Sequence, residues 1–541
     1  MTTDPSAETS FFGREAILSI LAKRLEAFQN GFRQNIGILG PPAIGKTSLL
    51  QEFFRRIPYS DILIVPFSCR ESESFEHFAQ RWMSEILFGF YRSSGKPIPT
   101  DFQSTLRSSI DVIPKTLRLM KSVKKLSQIS RYSQAYRELL NLSEVLYKEC
   151  GKKVLFFLDD FDRLADLPVD DPFSLLGSEI MIQKQTMYVV ASSRLHEGRN
   201  ILSEKMSLLF GNFEVIPLDS FGFEEARTFL ENRFPDCCLS DQRVRYLLWL
   251  SDGRPFYLSC LTKERCLCPS ANGRGIRDGL VTALVNELFR KDGSLHQFFK
   301  ETLAGVARGR SRAFYGDVLY ALALGHKKVT QISRFLHRKG NDVANVLERL
   351  LQAEVIERHG SMHVVSDVLF RFWLEKVYYR NRFLSERAPQ AGEASFTEDV
   401  RQSLQAWVNT DGLDLPKRIE ELFRKFHNDV LVYEGRRFKC PHFSEISSRP
   451  SNGRMFPVLA QNGKTRWLCQ ILSNTVTEDD VRTYLQDLKR LRNPVHKRMI
   501  VGIGGIDLNA KLLAKEAKIQ YLDLRHLNFL MNVYDQPKFV L

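Results

Sequence analysis

Near the amino terminus, a short segment has the residue types and spacing of a phosphate-binding loop. Gly40, Gly45, Lys46 and Thr47 satisfy the pattern G-x-x-x-x-G-K-[ST]. In such a loop, backbone amides at a helix N-terminus surround an anion, the lysine reaches the terminal phosphates, and the hydroxyl holds Mg²⁺. The residues expected to bind ATP here are Gly40, Pro41, Pro42, Ala43, Ile44, Gly45, Lys46, Thr47 and Ser48.

The segments on either side of the loop supply the context that the pattern requires. Residues 36–39 read as a buried strand, and residues 48–56 read as a helix. A bare match could be a chance glycine turn, whereas the order strand, loop, helix favours a nucleotide site. We expect Lys46 to act in catalysis and Thr47 to be a metal ligand.

A second apolar segment ends in paired carboxylates. In KVLFFLDDFDRL, residues 154–158 read as a buried parallel strand that delivers Asp159 and Asp160 to its carboxyl end. We expect Asp159 to bind Mg²⁺ through water and Asp160 to orient the attacking water. Asp162 and Arg163 also have catalytic residue types, but a solvated turn after the strand accounts for them.

A third segment that resembles a strand, TMYVVASSR, ends in Ser192, Ser193 and Arg194. The carboxyl ends of parallel strands meet at the edge of a doubly wound sheet where nucleotides bind. Arg194 is therefore a candidate sensor of the γ-phosphate. The alternative is a surface arginine that closes the strand.

The order of these and later motifs resembles the archaeal-type ATPases of the STAND branch of AAA+-like P-loop proteins, which are relatives of origin-recognition initiators. The resemblance covers roughly residues 10–385. An ordered set of motifs is more specific than any one of them. The segments that carry it are FFGREAIL, GPPAIGKTS, FLDDFD, ASSR, VIPLDSFGFEEARTFL and SDGRPFYLSCL.

This resemblance implies an α/β fold, with a P-loop NTPase parallel sheet and a helical lid, followed by a helical, winged-helix domain. It places Phe12, Gly13 and Arg14 beside the adenine, and it implies that Pro255 opens the lid over the nucleotide. Without the resemblance, Pro255 is simply a helix start that follows a helix stop. Such ATPases often carry glutamate at the position of Asp160, so the shorter side chain leaves the hydrolysis rate in question.

Residues 314–385 have the pattern of a winged helix, with helical segments followed by a hairpin in RHGSMHVVS. The second, recognition-type helix would present a face of mixed charge that includes acids, whereas tight binding in a DNA groove favours a basic face. DNA reading, with Arg338 and Lys339 as contacts, and docking within the chain or on a partner protein both remain open.

A more basic surface is expected within the ATPase domain, where no acid occurs from residue 112 to residue 137. On a helical wheel, Leu119, Val123 and Leu126 share one side. The opposite side would be cationic and could bind DNA phosphates, an acidic protein or a membrane surface. Its expected contacts are Arg118, Lys121, Lys124 and Lys125.

After the polar segment LSERAPQAGEASFTED, apolar and helical stretches alternate in the order β-β-α-β-α-β. This order resembles the restriction-endonuclease-like domain often attached to these ATPases. The nuclease pattern of an acid followed by Glu-x-Lys is replaced by Gln470, Ile471 and Leu472, so we expect an inactive binding or dimerisation domain. Glu434, Glu445, Asp479 and Asp480 are interpreted as loop or helix N-terminal residues.

The expected organisation follows from these boundaries. A P-loop ATPase domain is expected over residues 10–220, with a basic helical insertion near 112–137, and a helical lid over 221–295. A winged-helix domain follows over 296–385 and a linker over 386–400. A small α/β restriction-endonuclease-like domain is expected over 401–541.

Composition limits the function classes. Lys and Arg number 77 against 63 Asp and Glu, a net charge of +14 that suits phosphate-rich partners. The start of the chain has no basic leader or apolar core, and no run of 18 apolar residues occurs, so we expect a cytoplasmic protein without a membrane span. The nine cysteines lack paired CxxC spacing, which favours reduced thiols over a metal site that would use Cys266 and Cys268 with Cys237 or Cys260.

These features predict an ATP-binding and ATP-hydrolysing switch associated with double-stranded DNA, in mobile-element, defence or replication-linked biology. Partner proteins and self-association are possible further contacts. Two alternatives are open: an ATP-controlled signalling scaffold that binds no nucleic acid, and a DNA nuclease with displaced active-site residues.

Overall fold

A computed structural model describes residues 11–57, 62–95, 111–206, 213–235, 239–263, 276–306, 312–380, 389–448, 458–463, 465–490 and 494–539. The chain forms two compact units, Met1–Ser220 and Phe221–Leu541. The first unit is built around a parallel sheet. The second combines helices with a mixed sheet and two hairpins.

Five parallel strands form the centre of the first unit, in the order β2-β3-β4-β1-β5. The phosphate-loop strand β1 and the carboxylate strand β3 are therefore both neighbours of β4. Their bounds are β1 Asn35–Leu39, β2 Ile62–Ser68, β3 Lys153–Asp159, β4 Thr186–Ser192 and β5 Phe213–Pro217.

Successive side chains of a strand point to opposite faces of the sheet, and here the apolar side chains on both faces are buried. Phe156 of β3 stacks between Trp82 and Tyr188, at ring-centroid distances of 4.8 and 5.2 Å. The next residue, Phe157, packs on the other face against Phe53, at 6.0 Å. A parallel strand with two buried faces reads as a continuous apolar run. The predicted α/β fold with a P-loop type of parallel sheet is thus confirmed.

Helices cover the two faces of the sheet. The helix after the phosphate loop begins at Lys46, two residues before the expected start, and ends at Arg56. A short 3₁₀ helix, Phe161–Asp166, follows β3, and a π-helical turn occupies Ile201–Lys205. The α-helices of this unit are Glu15–Gln29, Lys46–Arg56, Phe75–Ser93, Pro114–Gln128, Tyr132–Cys150, Pro172–Ile182 and Leu195–Asn200.

The second unit begins with a largely helical region. Its α-helices before the first hairpin are Phe223–Arg233, Asp241–Ser251, Pro255–Leu261, Ile276–Leu284, Ser294–Val306, Arg312–Ala323, Val329–Leu336 and Gly340–Gln352. The hairpin consists of β6, Glu357–His359, and β7, Met362–Val364. The remaining α-helices are Val368–Trp373, Pro389–Asp411, Leu415–Arg424, Glu478–Lys489, Leu508–Glu516 and Leu524–Val533, and π-helical turns occupy Val285–Phe289 and Leu374–Tyr378.

The carboxyl-terminal part holds a second hairpin and a five-stranded mixed sheet. The hairpin strands are β8, Asp429–Tyr433, and β9, Arg436–Cys440. The sheet has the order β10-β11-β12-β13-β14, antiparallel from β10 to β12 and parallel from β12 to β14. Its strands are β10 Glu445–Ser448, β11 Val458–Asn462, β12 Thr465–Leu472, β13 Lys497–Gly502 and β14 Gln520–Asp523.

The expected linker over residues 386–400 is wrong for the part that the structure describes, because one helix runs over Pro389–Asp411. Phe396 has no exposed surface and stacks on Phe289 at 5.2 Å. Val400 and Trp407, farther along the helix, are also buried. The apolar residues of this helix therefore belong to the core of the second unit, although proline, glycine and polar residues around its start gave the appearance of a linker.

Candidate functional site

The carboxyl ends of β1, β3 and β4 meet at one edge of the sheet in the first unit. Leu39 pairs with Ser192 across β1 and β4, and the amide of Gly40 donates to the carbonyl of Ser192 at 3.3 Å. Leu158 of β3 pairs with Val190 of β4, so Asp159 emerges at the same level. The loop, the paired carboxylates and the turn after β4 are thus brought together as the sequence motifs predict.

The backbone of the phosphate loop requires glycine at two positions. A side chain at Gly40 would place its Cβ 2.7 Å from the carbonyl oxygen of Leu218. Gly45 has a φ of +93°, in the left-handed region that favours glycine, and it caps the helix that starts at Lys46. The side chain of Ile44 is buried in the core beneath the loop, so the loop is fixed from below.

The ammonium of Lys46 is held inside the loop. The side chain is only 5% exposed, and Nζ donates to the carbonyls of Gly40 and Pro41 at 2.8 and 2.9 Å. A single positive charge therefore lies within the curve of the loop, next to the amino end of a helix. Pro42 and Ser48 lie at its solvent-facing side, with Ser48 exposed.

Thr47 and Asp159 form the contact that joins the two motifs. The hydroxyl of Thr47 donates to Oδ2 of Asp159 at 2.6 Å. Burial raises the pKa of Asp159, and the hydrogen bond from Thr47 acts against that rise. A hydroxyl and a carboxylate oxygen are the hard ligands that Mg²⁺ prefers, so these residues fit the ion.

No cluster of three or more His, Cys, Asp or Glu side chains suited to a metal occurs among the residues that the structure describes. A magnesium ion at Thr47 and Asp159 would therefore need further oxygen ligands. Sites of this kind commonly complete the coordination of Mg²⁺ with substrate phosphates and water.

Asp160 lies at the outer side of the same edge. Its φ of +50° marks a sharp turn out of β3, which aspartate tolerates better than most residues. Its carboxylate accepts a hydrogen bond from Oγ of Ser193 at 3.3 Å and lies 3.8 Å from Nε of Arg163. Arg163 is itself paired with Glu71 at 3.2 Å. The carboxylate is thus held between two partners at the position expected for a group that orients water.

The expectation of a solvated turn is wrong for Asp162. Asp162 is only 3% exposed, and it accepts a hydrogen bond from Oγ of Ser192 at 2.6 Å. Nε of Arg194 lies 3.4 Å from its other carboxylate oxygen. Burial raises the pKa of Asp162. The 3₁₀ helix after β3 turns the residue back under β4, and the local spacing does not encode this direction.

Arg194 has features of both a γ-phosphate sensor and a surface arginine that closes the strand. Its side chain is 37% exposed, as a surface residue would be, and yet it is paired with the buried Asp162. It follows Ser192 and Ser193, which contact Gly40 and Asp160 respectively. The residues before Arg194 thus contact the loop and the paired carboxylates, and its guanidinium is anchored on Asp162.

The segment expected beside the adenine lies on the same unit. Phe11 packs against the apolar cluster under the loop, and Phe12, Gly13 and Arg14 are half-buried. A terminal nitrogen of Arg14 donates to the carbonyl of Asp219. Leu218, the residue before Asp219, donates its amide to Leu39 at 2.8 Å. The segment is thereby tied to the strand that leads into the loop.

Pro255 belongs to the second unit. It is the first residue of the helix Pro255–Leu261, which follows a left-handed turn at Asp252 and Gly253. Arg254, in the same motif, is buried and forms an ion pair with Asp367 at 2.8 Å. The position of Pro255 fits the helix stop and start read from the sequence. The expected role of Pro255 over the nucleotide stays a prediction.

The helix Pro114–Gln128, here called the basic helix, has the predicted two-sided character. Val123 is fully buried, and Leu119 and Leu126 pack against the core. Within the described parts of the chain, no carboxylate lies within 4.0 Å of its outward-facing cations. The exposed basic residues are Lys115, Arg118, Lys121, Lys124 and Lys125.

Arg338 and Lys339 are exposed between the helices Val329–Leu336 and Gly340–Gln352. The guanidinium of Arg338 lies 5.6 Å from the ring centroid of Phe314. Both cations are accessible to solvent.

The hairpin β6–β7 after these helices is covered within the second unit. Met362 and Val364 belong to the same apolar cluster as the carboxyl-terminal sheet. A Cβ at Gly360 would lie 2.3 Å from the carbonyl oxygen of Val430 in β8, which shows how closely the two hairpins approach. The ring of His359 contacts Phe529 at 4.7 Å. A hairpin packed in this way favours docking within the chain over contact with DNA.

The carboxyl-terminal sheet offers no acid pair at the expected nuclease position. Gln470, Ile471 and Leu472 lie on β12, and its neighbour β11 carries no carboxylate. Glu445, interpreted as a loop residue, instead begins β10, where it accepts a hydrogen bond from Gln461 of β11. Asp479 and Asp480 lie in the first turn of a helix, as expected.

Two further expectations concern the cysteines and membrane-spanning helices. Cys69, Cys150, Cys260, Cys440 and Cys469 are unpaired thiols, whereas Cys237, Cys266 and Cys268 lie outside the described residues. Over the described chain, none of the helices has the length and apolar character needed to cross a bilayer.

Comparisons with known proteins identify sequences and structures that this chain resembles. Residues 10–179 match the AAA ATPase domain family (AAA_16), so the first unit carries an AAA-type P-loop ATPase domain. An uncharacterized ATP-binding protein of Pyrococcus abyssi (strain GE5 / Orsay) is 25% identical over 377 residues, which cover 64% of this chain and 100% of that protein.

Two solved structures are also similar. The Walker-type ATPase of Pyrococcus abyssi has a TM-score of 0.45 and 17% identity, with 68% of this chain and 97% of that chain covered. The ORC2 protein of Aeropyrum pernix, in complexes with ADPNP and ADP, has a TM-score of 0.41 and 14% identity, with 74% and 98% covered.

Proposed function

We propose that the chain is an ATP-driven molecular switch whose first unit binds and hydrolyses Mg²⁺-ATP at residues 40–48. The observation that carries this proposal is the 2.6 Å contact between Thr47 and Asp159, which joins the two motifs at one edge of the sheet. The match of residues 10–179 to AAA ATPase domains supports it. The name of the Pyrococcus relative, an ATP-binding protein, agrees with it.

In this proposal the first unit supplies the groups that bind the triphosphate. Loop amides and Lys46 hold the phosphates, and Thr47 and Asp159 hold the metal ion. When bound there, Mg²⁺ would neutralise negative charge on the phosphate oxygens. The segment Phe12, Gly13 and Arg14 contacts the adenine, and Pro255 contributes through the helical lid.

Asp160 and Arg194 act on the reaction itself. Asp160 accepts a hydrogen bond from the attacking water, and Ser193 and Arg163 hold its carboxylate in place. Arg194 donates to the γ-phosphate, where negative charge spreads over the oxygens as the bond breaks. Because aspartate is one methylene shorter than glutamate, we expect turnover to be slow.

Phosphate release and nucleotide binding test these assignments together. Lys46→Ala should abolish ATP binding, since the loop loses its one ammonium. Asp160→Ala should leave binding nearly unchanged and reduce kcat by about 10²-fold or more, as for loss of a catalytic base. Wild-type hydrolysis in both variants would overturn the proposal.

A second proposed function is association with double-stranded DNA through the basic helix. Its exposed cations have no described carboxylate partner, and the net charge is +14. Cations arranged along one helix face suit the phosphate backbone without reading bases. If duplex DNA does not bind, the same face fits an acidic protein, and the chain would be a signalling scaffold that ATP controls.

The second unit is proposed to transmit the nucleotide state. The winged helix expected over residues 314–385 is proposed to dock within the chain, because its hairpin is packed against β8. The carboxyl-terminal sheet is proposed to be a restriction-endonuclease-like domain that binds a partner protein, DNA or a second copy of the chain. Cleavage of plasmid DNA by the full chain with Mg²⁺ or Mn²⁺ would contradict its proposed inactivity.

A further inference from the structure

Asp162 is the most deeply buried carboxylate at the phosphate-binding edge, and sequence patterns give it no role. It is 3% exposed, in the 3₁₀ helix that follows the paired carboxylates of β3. An ionised carboxylate in such a place is costly unless it is paired and hydrogen-bonded. An apolar residue of similar size would satisfy the packing at least as well, so burial alone does not explain an acid here.

Its two oxygens have separate partners, one at the end of β4 and one in the turn that follows. Oδ1 accepts the hydroxyl of Ser192 at 2.6 Å, and Oδ2 lies 3.4 Å from Nε of Arg194. The amide of Arg194 in turn donates to the hydroxyl oxygen of Ser192 at 3.0 Å. The three residues form a closed set of contacts that fixes both the backbone and the side chain of Arg194.

The chain segment that carries two members of this set, residues 192–194, contacts the phosphate loop on one side and Asp160 on the other. The carbonyl of Ser192 accepts the amide of Gly40 at 3.3 Å, and Ser193 donates to Asp160 at 3.3 Å. A guanidinium has five N–H donors, more than one carboxylate can accept, so pairing at Nε leaves donors for a second anion. The exposed part of Arg194 provides access to it.

We infer that Asp162 is a positioning residue for ATP hydrolysis, which holds Arg194 by its Nε edge so that the remaining donors meet the γ-phosphate. This inference rests on the proposed function of the first unit. Asp162 itself contacts neither nucleotide nor metal. Its contribution is to fix the guanidinium before the reaction, when a freely rotating arginine would lose side-chain entropy on engagement.

Single and double variants in the full chain test the inference, with kcat, KM and ATP affinity as readouts. Asp162→Asn keeps an oxygen for Ser192 and removes the charge that holds Arg194. It should lower kcat by about tenfold or more and leave ATP affinity within about twofold. Arg194→Ala should lower kcat at least as much, and Asp162→Asn combined with Arg194→Ala should be no slower than Arg194→Ala alone.

The matched control is Asp166→Asn, an exposed acid in the same short helix, which should leave kcat unchanged. Multiplicative losses in the double variant, or wild-type kcat in Asp162→Asn, would overturn the inference.

If Asp162→Asn does not fold, Arg194→Lys serves instead, because it keeps a cation beside Asp162 and removes Nε. It should lower kcat like Arg194→Ala, and wild-type kcat would contradict the inference. Failure of the proposed function is distinguishable, because hydrolysis would then survive Lys46→Ala.

Discussion

The hydroxyl of Thr47 lies 2.6 Å from Oδ2 of Asp159, although 112 positions separate the two residues in the sequence. The contact requires β1 and β3 to be placed on either side of β4, with their carboxyl ends at the same level. The fold thereby creates a paired oxygen site that neither motif contains alone. This relationship gives the first testable consequence.

Removing the hydroxyl of Thr47 without changing the shape of the side chain should weaken the response to magnesium. Thr47→Val should raise the Mg²⁺ concentration needed for half-maximal hydrolysis by about tenfold, since one ligand and one partner of Asp159 are lost. Thr47→Ser, which keeps the hydroxyl, is the matched control. A Mg²⁺ titration of phosphate release in which the valine and serine variants coincide would contradict the metal assignment.

The contact between Gly40 and Leu218 predicts a stability effect. Gly40→Ala would place a methyl group 2.7 Å from a backbone oxygen, so the loop or the chain after β5 must move. We expect a loss of about 1–3 kcal/mol in the free energy of unfolding, measured with urea. Gly340→Ala, where no atom lies within 4 Å, should be nearly neutral. Equal effects at the two sites would show that the close approach does not constrain the loop.

Duplex DNA binding by the basic helix should depend steeply on salt. Log affinity falls as log salt concentration rises, and each phosphate contact adds about 0.9 to the magnitude of this slope. Replacing Lys121 and Lys124 with alanine should therefore lower the slope by roughly twice that amount. Lys511→Ala with Lys515→Ala, on an exposed face of a different helix, is the control. Fluorescence anisotropy that shows no duplex affinity in the wild-type chain would favour the scaffold alternative.

His296 predicts that acid destabilises the second unit. Burial lowers the pKa of this histidine, whose Nδ1 lies 2.9 Å from the carbonyl of Leu288 and whose ring contacts Trp373. The unfolded chain therefore binds a proton at a higher pH than the folded chain. The neutral His296 therefore contributes its full share to the free energy of unfolding at pH values above its pKa in the unfolded chain. That contribution is lost as the pH falls through this pKa towards the lower pKa of His296 in the folded chain.

Thermal unfolding at about pH 7.5 and about pH 5 measures this effect. The wild-type melting temperature should fall further on acidification than that of His296→Gln, which keeps a polar side chain that does not titrate. An equal fall in both proteins would remove His296 as the cause.

The sequence predicts those parts of the site that depend on local pattern. The apolar runs of β1, β3 and β4 and the residues that follow them identify Lys46, Thr47 and Asp159, because a buried parallel strand places its next residues at a common edge. The two-sided character of the basic helix is also readable from the spacing of Leu119 and Val123.

Contacts that depend on the direction of a turn or on distant packing are not readable in this way. The solvated turn expected for Asp162 is wrong because nothing in its local spacing indicates that the 3₁₀ helix folds back beneath Ser192. The helix Pro389–Asp411 is not readable from its own residues, because the rings that pack on Phe396 belong to Phe289 and Phe372 in other segments. The cover over the hairpin β6–β7 similarly comes from Val430 in a later segment.

An experimental structure of the full chain with Mg²⁺ and a nonhydrolysable ATP analogue tests the proposed Mg²⁺-ATP site most directly. We expect the terminal phosphate within hydrogen-bond distance of Lys46 Nζ, and a metal ion ligated by Thr47 and held by Asp159, directly or through water. An analogue bound elsewhere, with Lys46 still engaged only with the carbonyls of Gly40 and Pro41, would contradict it.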